Sequence, residues 1–350
     1  MQEIRKVIAL YDSFKATGTP CALATVVAIE GSSYRRIGAR LIVGADGRYT
    51  GGISGGCLEG DALRRAQEAI HRQTPTKRIY DTLDGEDREI GIGLGCNGRI
   101  EVRFIPLDFA DPANQIEVLR GIVGTRSPRL LTQVVSAPPG STADGALTEV
   151  PLGAVDLPLG RSVVKRQVEA DGAVWERLYE LVRPEIHLIV VGDNYDIPPM
   201  ATAARQLGWR CSVIGSRRKF TRAIADAADT LYDYAEAESL TVDDFTAVAC
   251  MSHDLERDKE MVRHFLPQAP VYLGLLGPRK RARRMDEELR AEHGISLLDF
   301  PNLYTPIGLD IGAETPEEIG ACVVAEIISV FRQRPGLSLK DKPGTIHARL

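Results

Sequence analysis

The second half of the chain alternates short apolar runs with helix-forming segments, and that alternation leaves few folds open. Residues 186–191 form a run that is apolar but for His187, ended by Gly192. Six residues make a poor helix but a good strand, buried on both faces. Residues 197–207 then show helical spacing. Pro198 and Pro199 fall in the first turn, where backbone donors lack partners anyway, and Gly208 closes the helix. Residues 211–214, 247–251 and 271–275 read as further strands, and 255–265, 279–292 and 316–331 as helices. Thr315 is placed to cap the last helix, with Pro316 and Glu318 following. Such alternation predicts a Rossmann-like, doubly wound parallel-sheet domain over residues 184–334, followed by a tail at 335–350.

The first half is patterned differently. Residues 21–30 are apolar and β-branched, as in a buried strand. Residues 39–43 and 48–50 suit a hairpin around Asp46-Gly47. A glycine-rich loop at 51–56 leads into a helix over 58–72, whose apolar face is Leu58, Ala62, Leu63, Ala66, Ala69 and Ile70. A second glycine-rich loop, 91–98, precedes the alternating segment 99–105. Strands are expected at 130–135, 163–168 and 173–177, with a Pro/Gly/Ser loop at 137–143. The expected fold class is therefore α/β: an N-terminal mixed α/β domain over 1–110, bridging strands and a loop over 111–183, then the Rossmann-like domain.

The 350 residues suffice for two domains with full cores. A formal net charge of -5 gives no global basic surface for nucleic acid. No apolar run is long enough to span a bilayer, and the charged, amphipathic residues 1–11 lack a signal-peptide layout. The six cysteines form no C-x-x-C pair, which argues against a zinc ribbon or a thioredoxin site. The expectation is a cytoplasmic protein with reduced thiols and neither membrane nor nucleic-acid partners.

Several residues carry potential chemistry. Cys57 follows Ser54, Gly55 and Gly56 at a helix start. Free N–H groups and the helix dipole there favour a thiolate, the form that binds a soft metal or accepts sulfur, and the same N–H groups suit a phosphate. Packing under a tight turn would explain the cysteine equally well. Cys96, beside Gly95 in the GLGCNG stretch at 93–98, sits where the backbone can approach a ligand closely, or simply in a β-turn. Ser32, Ser33, Arg35 and Arg36 combine hydroxyls and guanidinium groups that hold phosphate or carboxylate when they do not merely face water.

In the second half, the dinucleotide fingerprint G-x-G-x-x-G is reduced to its first glycine, Gly192, in GDNYDI. The acid that would bind a ribose about 20 residues on is missing. This counts against NAD. The basic residues Arg217, Arg218 and Lys219 leave NADP open, as they do a solvated turn. His253 and Arg279 follow strands at the edge where ligands of such sheets sit, and are candidate ligand contacts.

Five motifs taken together resemble the XdhC/CoxI family: GSSYRRIGAR at 31–40, GISGGCLEGD at 52–61, GLGCNG at 93–98, GLLGPR at 274–279 and PIGLDIGAETP at 306–316. The resemblance runs from near residue 10 to near residue 333. It implies an accessory protein rather than an enzyme. Such a protein binds molybdenum cofactor (molybdopterin), assists its sulfuration with a cysteine desulfurase, and hands it to a xanthine-dehydrogenase-like molybdenum hydroxylase. It also implies that Cys57 and Cys96 occupy the family's cysteine positions, and that one or both touch the molybdenum or its exchangeable sulfur. Ser32, Ser33, Arg35 and Arg36 would then hold the pterin phosphate. The chain departs from the family at Asn194, where relatives have a second glycine, and at Gly215, where they have an acid. An NADP-dependent oxidoreductase and a pure docking scaffold are the competing readings. A homodimer is the expected assembly.

Overall fold

The computed structural model describes residues 1–31, 33–81, 98–138, 141, 143–157, 162–169 and 172–342. Contacts divide the chain into two compact units, Met1–Pro184 and Glu185–Leu350.

In the first unit, α1 (Gln2–Thr17) buries Ile4, Val7, Ile8, Tyr11 and Phe14, the face that helical spacing produces, and ends at the left-handed Gly18. Strands β1 (Cys21–Gly31), β2 (Arg40–Gly44) and β3 (Tyr49–Gly51) precede α2 (Glu59–Arg72), β4 (Thr76–Asp81) and β5 (Gly98–Pro106). These five strands form an antiparallel sheet in the order β3-β2-β1-β5-β4. The expected hairpin joins β2 to β3, with Gly47 at φ 84° and Asp46 Oδ1 accepting from Arg48 N at 3.0 Å. Alternation along β1 splits its side chains between two cores. Ala22, Ala24 and Val26 meet the small residues Ala62, Ala66 and Ala69 of α2. Cys21 and Leu23 face the other way, toward α1 and α3 (Gln115–Ile122). Asn114 caps α3 and also donates to Tyr11 Oη at 2.8 Å, tying α3 to α1.

A second antiparallel sheet, β7-β6-β9-β8, follows, built from β6 (Arg129–Ser136), β7 (Leu147–Val150), β8 (Val163–Val168) and β9 (Val174–Val182). The last strand runs five residues beyond the stretch that polarity alone suggests, because Leu178, Tyr179 and Val182 are buried against the rest of the unit. A buried ion pair crosses between the two sheets. Arg40 of β2 is 4% exposed, and its two terminal nitrogens lie 3.2 and 2.5 Å from the carboxylate oxygens of Glu180 on β9. The same guanidinium donates to Gly38 O at 3.0 Å, and a Cβ at Gly38 would fall 2.6 Å from Glu180 Oε1.

The second unit is the doubly wound sheet that the sequence predicts. Its strands are β10 (His187–Val191), β11 (Arg210–Gly215), β12 (Thr230–Asp233), β13 (Thr246–Cys250), β14 (Tyr272–Leu275) and β15 (Leu303–Tyr304). All pair in parallel, in the order β12-β11-β10-β13-β14-β15. The order reverses between β10 and β13, the switch point at whose carboxyl edge such sheets take ligands. Helices α4 (Ile197–Gln206), α5 (Arg222–Ala227), α6 (Leu255–Phe265), α7 (Arg279–His293) and α8 (Pro316–Phe331) cover the two faces. Leu188 and Val190 pack with α4 and α8, while Ile189 and Val191 pack with α6 and α7. Gly320 lets α8 approach α4 closely, since a Cβ there would lie 3.3 Å from Met200 Cα. Thr315 and Glu318 form the expected capping box. Among the described residues, no helix is long and apolar enough to cross a membrane.

The Arg40–Glu180 pair yields a test. Truncating one partner strands a buried charge, so Arg40→Ala is expected to cost about 3–5 kcal/mol in urea unfolding. Arg40→Met combined with Glu180→Leu is expected to recover most of that loss.

Candidate functional site

In the first unit, the loop between β3 and α2 carries Cys57, and it is wired from within. Ser54 Oγ accepts from Gly56 N at 3.1 Å and Leu58 N at 3.0 Å, and its hydroxyl donates to Glu59 Oε2. Glu59 Oε1 accepts from Ser54 N at 2.9 Å and Ile53 N at 3.2 Å. Burial alone would push the Glu59 carboxyl up. The bonds from the Ser54 hydroxyl and from the Ser54 and Ile53 amides outweigh it and hold the group below its ordinary 4.5. The Ile53 and Ser54 amides therefore serve a carboxylate supplied by the chain itself, and those of Gly56 and Leu58 serve the Ser54 hydroxyl. Cys57 stands at the rim of this loop, exposed, with Sγ 3.6 Å from Ser54 Oγ.

The loop between β1 and β2 comes to meet it. The Tyr34 ring lies against Gly55, where a Cβ would sit 3.3 Å from Tyr34 Cγ. Glycine at 55 thus explains how two motifs about twenty residues apart come to touch. Ser33 Oγ is buried and has no hydrogen-bond partner among the described residues. Arg35 is ion-paired with Glu3 of α1 through Nη2, while its buried Nε has no partner among them. Arg36 is exposed. Ser32, Gly95 and Cys96 lie outside the described residues. Gly98, the first described residue after Cys96, pairs with Gly31 at the start of the Tyr34 loop.

The other described cysteines are buried: Cys21, Cys211, Cys250 and Cys322. Burial pushes the Cys21 and Cys211 thiols up to about 12.

In the second unit, Gly192 sits at φ 151°, and a Cβ there would strike Ile197 Cδ1 at 2.7 Å and Met251 O at 2.9 Å. The glycine answers to close packing. His253 adopts a left-handed backbone, φ 61°, and its Nε2 is 2.7 Å from Oδ2 of the buried Asp196. Its loop is held by a second network. Arg281 Nη2 lies 2.7 Å from Asp258 Oδ2 while Nη1 donates to His253 O at 3.2 Å, and Ser252 Oγ donates to Asp258 Oδ1 at 2.6 Å. Burial pushes the Asp258 carboxyl up against the pull of Ser252 and Arg281. Arg279 is exposed in the first turn of α7. Glu59, Asp196 and Arg281 are not among the site residues expected from the sequence, where Asp196 reads only as charge against an anion and Arg281 as part of a basic helix start. Glu59 had a signal, being an acid in the first turn of a helix, but Asp196 and Arg281 gain their roles only across the sheet edge.

Two family models match the chain: the XdhC and CoxI family over residues 14–81 and the XdhC Rossmann domain over residues 188–327. The chain is 30% identical over 322 residues to a probable xanthine dehydrogenase subunit of Bacillus subtilis (strain 168), spanning 89% of this chain and 93% of that protein. It is 24% identical over 327 residues to the molybdenum cofactor insertion chaperone PaoD of Escherichia coli (strain K12), spanning 90% and 84%. A crystal structure described as a xanthine dehydrogenase from Bacillus halodurans superposes with a TM-score of 0.74 at 26% identity, covering 96% of this chain and 98% of that one.

Two outcomes are expected. Iodoacetamide labels Cys57 in the native protein, whereas Cys21, Cys211 and Cys250 react only after unfolding, as peptide mass spectrometry would read. Glu59→Ala leaves two amides and a hydroxyl unpaired and lowers stability by about 2 kcal/mol in urea unfolding. Because the folded carboxyl is held below 4.5, its contribution is complete above that pH. It fades as the pH falls through the lower folded value, so wild type and Glu59→Ala should converge in acid.

Proposed function

The chain belongs to the XdhC and CoxI family, and on that premise we propose that it binds molybdenum cofactor and readies it for a xanthine-dehydrogenase-like molybdenum hydroxylase. The observation that carries the reading is the meeting of two loops in the first unit. One bears an exposed soft donor, Cys57, and the other bears Ser33 Oγ and Arg35 Nε, buried polar groups without partners among the described residues. Orphaned donors of this kind cost free energy unless a ligand satisfies them.

The donor set fits the cofactor in two parts. Ser32, Ser33, Arg35 and Arg36 would hold its terminal phosphate through hydroxyl and guanidinium groups. Cys57, joined by Cys96, would offer sulfur to the molybdenum side. When bound, the cofactor supplies a soft metal with an exchangeable sulfur ligand. The role of the 53–58 loop is narrower than the sequence suggests. Ser54 and Glu59 engage the amides of Ile53, Ser54, Gly56 and Leu58, so the loop serves chiefly to present a thiol. Gly55 and Gly56 serve by keeping that rim free of side chains, Gly55 beneath Tyr34 and Gly56 at φ 113°. An exposed thiol is also the group on which a cysteine desulfurase could act, and sulfuration before delivery is part of this reading. The relative whose name is a molybdenum cofactor insertion chaperone supports the cofactor-handling part of the reading.

The test is co-purification from cells that make the cofactor, followed by oxidation, pterin fluorescence and metal analysis. Wild type is expected to carry pterin and molybdenum together. Cys57→Ala and Arg35→Ala are each expected to lower the yield about tenfold or more while melting near the wild-type temperature. Wild type without pterin, or a Cys57→Ala variant with the full load, would contradict the proposal.

A further inference from the structure

Doubly wound sheets seat a dinucleotide in a fixed way. The pyrophosphate meets free N–H groups at the first helix of the unit, and the adenosine ribose meets the end of the second strand. The second unit has the frame for this in β10, α4 and β11, yet the chain's own atoms engage each seat.

At α4 the donors are spent or missing. Asp196 N bonds to Asn194 Oδ1 at 2.9 Å and Ile197 N to Asn194 O at 3.3 Å. The next two residues, Pro198 and Pro199, have no N–H at all. Asn194 occupies the second glycine position of the fingerprint, and its Nδ2 reaches to Met251 O at 2.6 Å, bridging the switch point. The end of β11 is filled as well. Asp193 is folded onto Gly215, with Oδ2 accepting from Ser216 N at 2.9 Å and Oδ1 3.4 Å from Lys219 Nζ. A Cβ on residue 215 would lie 2.9 Å from Asp193 Cβ, so an acid for the ribose cannot stand there. Of the neighbouring cations, Arg217 pairs with Glu236 and its N–H bonds to Asp233 Oδ2 at 3.0 Å, while Arg218 is exposed. Two carboxylates, Asp193 and Asp196, therefore lie buried where a pyrophosphate would need positive potential.

We infer that the second unit is a Rossmann frame sealed against dinucleotides by its own side chains, with Asn194, Pro198 and Pro199 closing the pyrophosphate seat and Asp193 the ribose seat. The inference stands on this unit alone and is independent of the cofactor site in the first. It counts against an NADP-dependent oxidoreductase.

The experiment is calorimetric titration of the full chain with NADH and NADPH, and of two variants. Wild type is expected to show no binding up to about 1 mM of either. Asp193→Ala combined with Asn194→Gly frees Ser216 N and Lys219 and is expected to gain about tenfold or more for NADPH. It should gain less for NADH, which lacks the 2′-phosphate that the freed Ser216 N and Lys219 would hold. Circular dichroism verifies folding. If the double variant does not fold, Asp193→Asn carries the test, because it keeps an acceptor for Ser216 N while removing the charge, and a gain for NADPH is again expected. Micromolar binding by wild type would overturn the inference, and so would a folded variant that gains nothing.

Discussion

The guanidinium of Arg40 is the fixed point of the first unit. It is buried, it takes both oxygens of Glu180 from a strand 140 residues away in sequence, and it holds Gly38 O as well. That one group joins the two sheets and anchors the end of the loop that carries Ser33, Tyr34, Arg35 and Arg36. Tyr34 in turn rests on Gly55, one residue from the turn that presents Cys57. A buried pair of this kind is a poor source of net stability compared with apolar packing. What it supplies here is registry: a guanidinium with five donors in a fixed plane accepts few alternative arrangements.

A division of labour follows between the two meeting loops. The 53–58 loop is electrostatically complete, because Glu59 provides the negative charge that a helix N-terminus attracts. The 33–36 loop is incomplete, with Ser33 Oγ and Arg35 Nε lacking partners among the described residues. On the proposed reading, anion recognition belongs to the second of these and thiol presentation to the first. The second unit shows the same principle carried further, since carboxylates of its own chain fill the places of an expected ligand.

Much of the fold was legible because local signals agreed with tertiary need. Gly192, Gly208 and the Thr315–Glu318 box mark element ends that the structure reproduces. The buried run of β10 is apolar on both faces and could be little else. Illegible elements were short or polar. β4 reads TKRIYD and owes its strand to pairing with β5, and β12 and β15 have four and two residues. At the candidate site, the glycines and Cys57 were visible, but the identity of the charge at the start of α2 was not. Glu59 sits two residues from Cys57 in plain view, yet whether an acid in a first helical turn faces solvent or folds back onto the loop depends on Ser54. Arg40 looked like one more basic residue in a motif, because its partner is far away in sequence. The consequence of Pro198 and Pro199 also needed the structure, which shows the remaining donors of that turn already taken.

The central claim is that the exposed sulfur of Cys57 faces the same ligand that the 33–36 loop holds. Differential alkylation tests it most directly, comparing the rate at which Cys57 is modified in cofactor-loaded and cofactor-free protein. The account predicts strong protection of Cys57 on loading, with that protection lost when Arg35 is replaced. Equal rates in loaded and empty protein would contradict it.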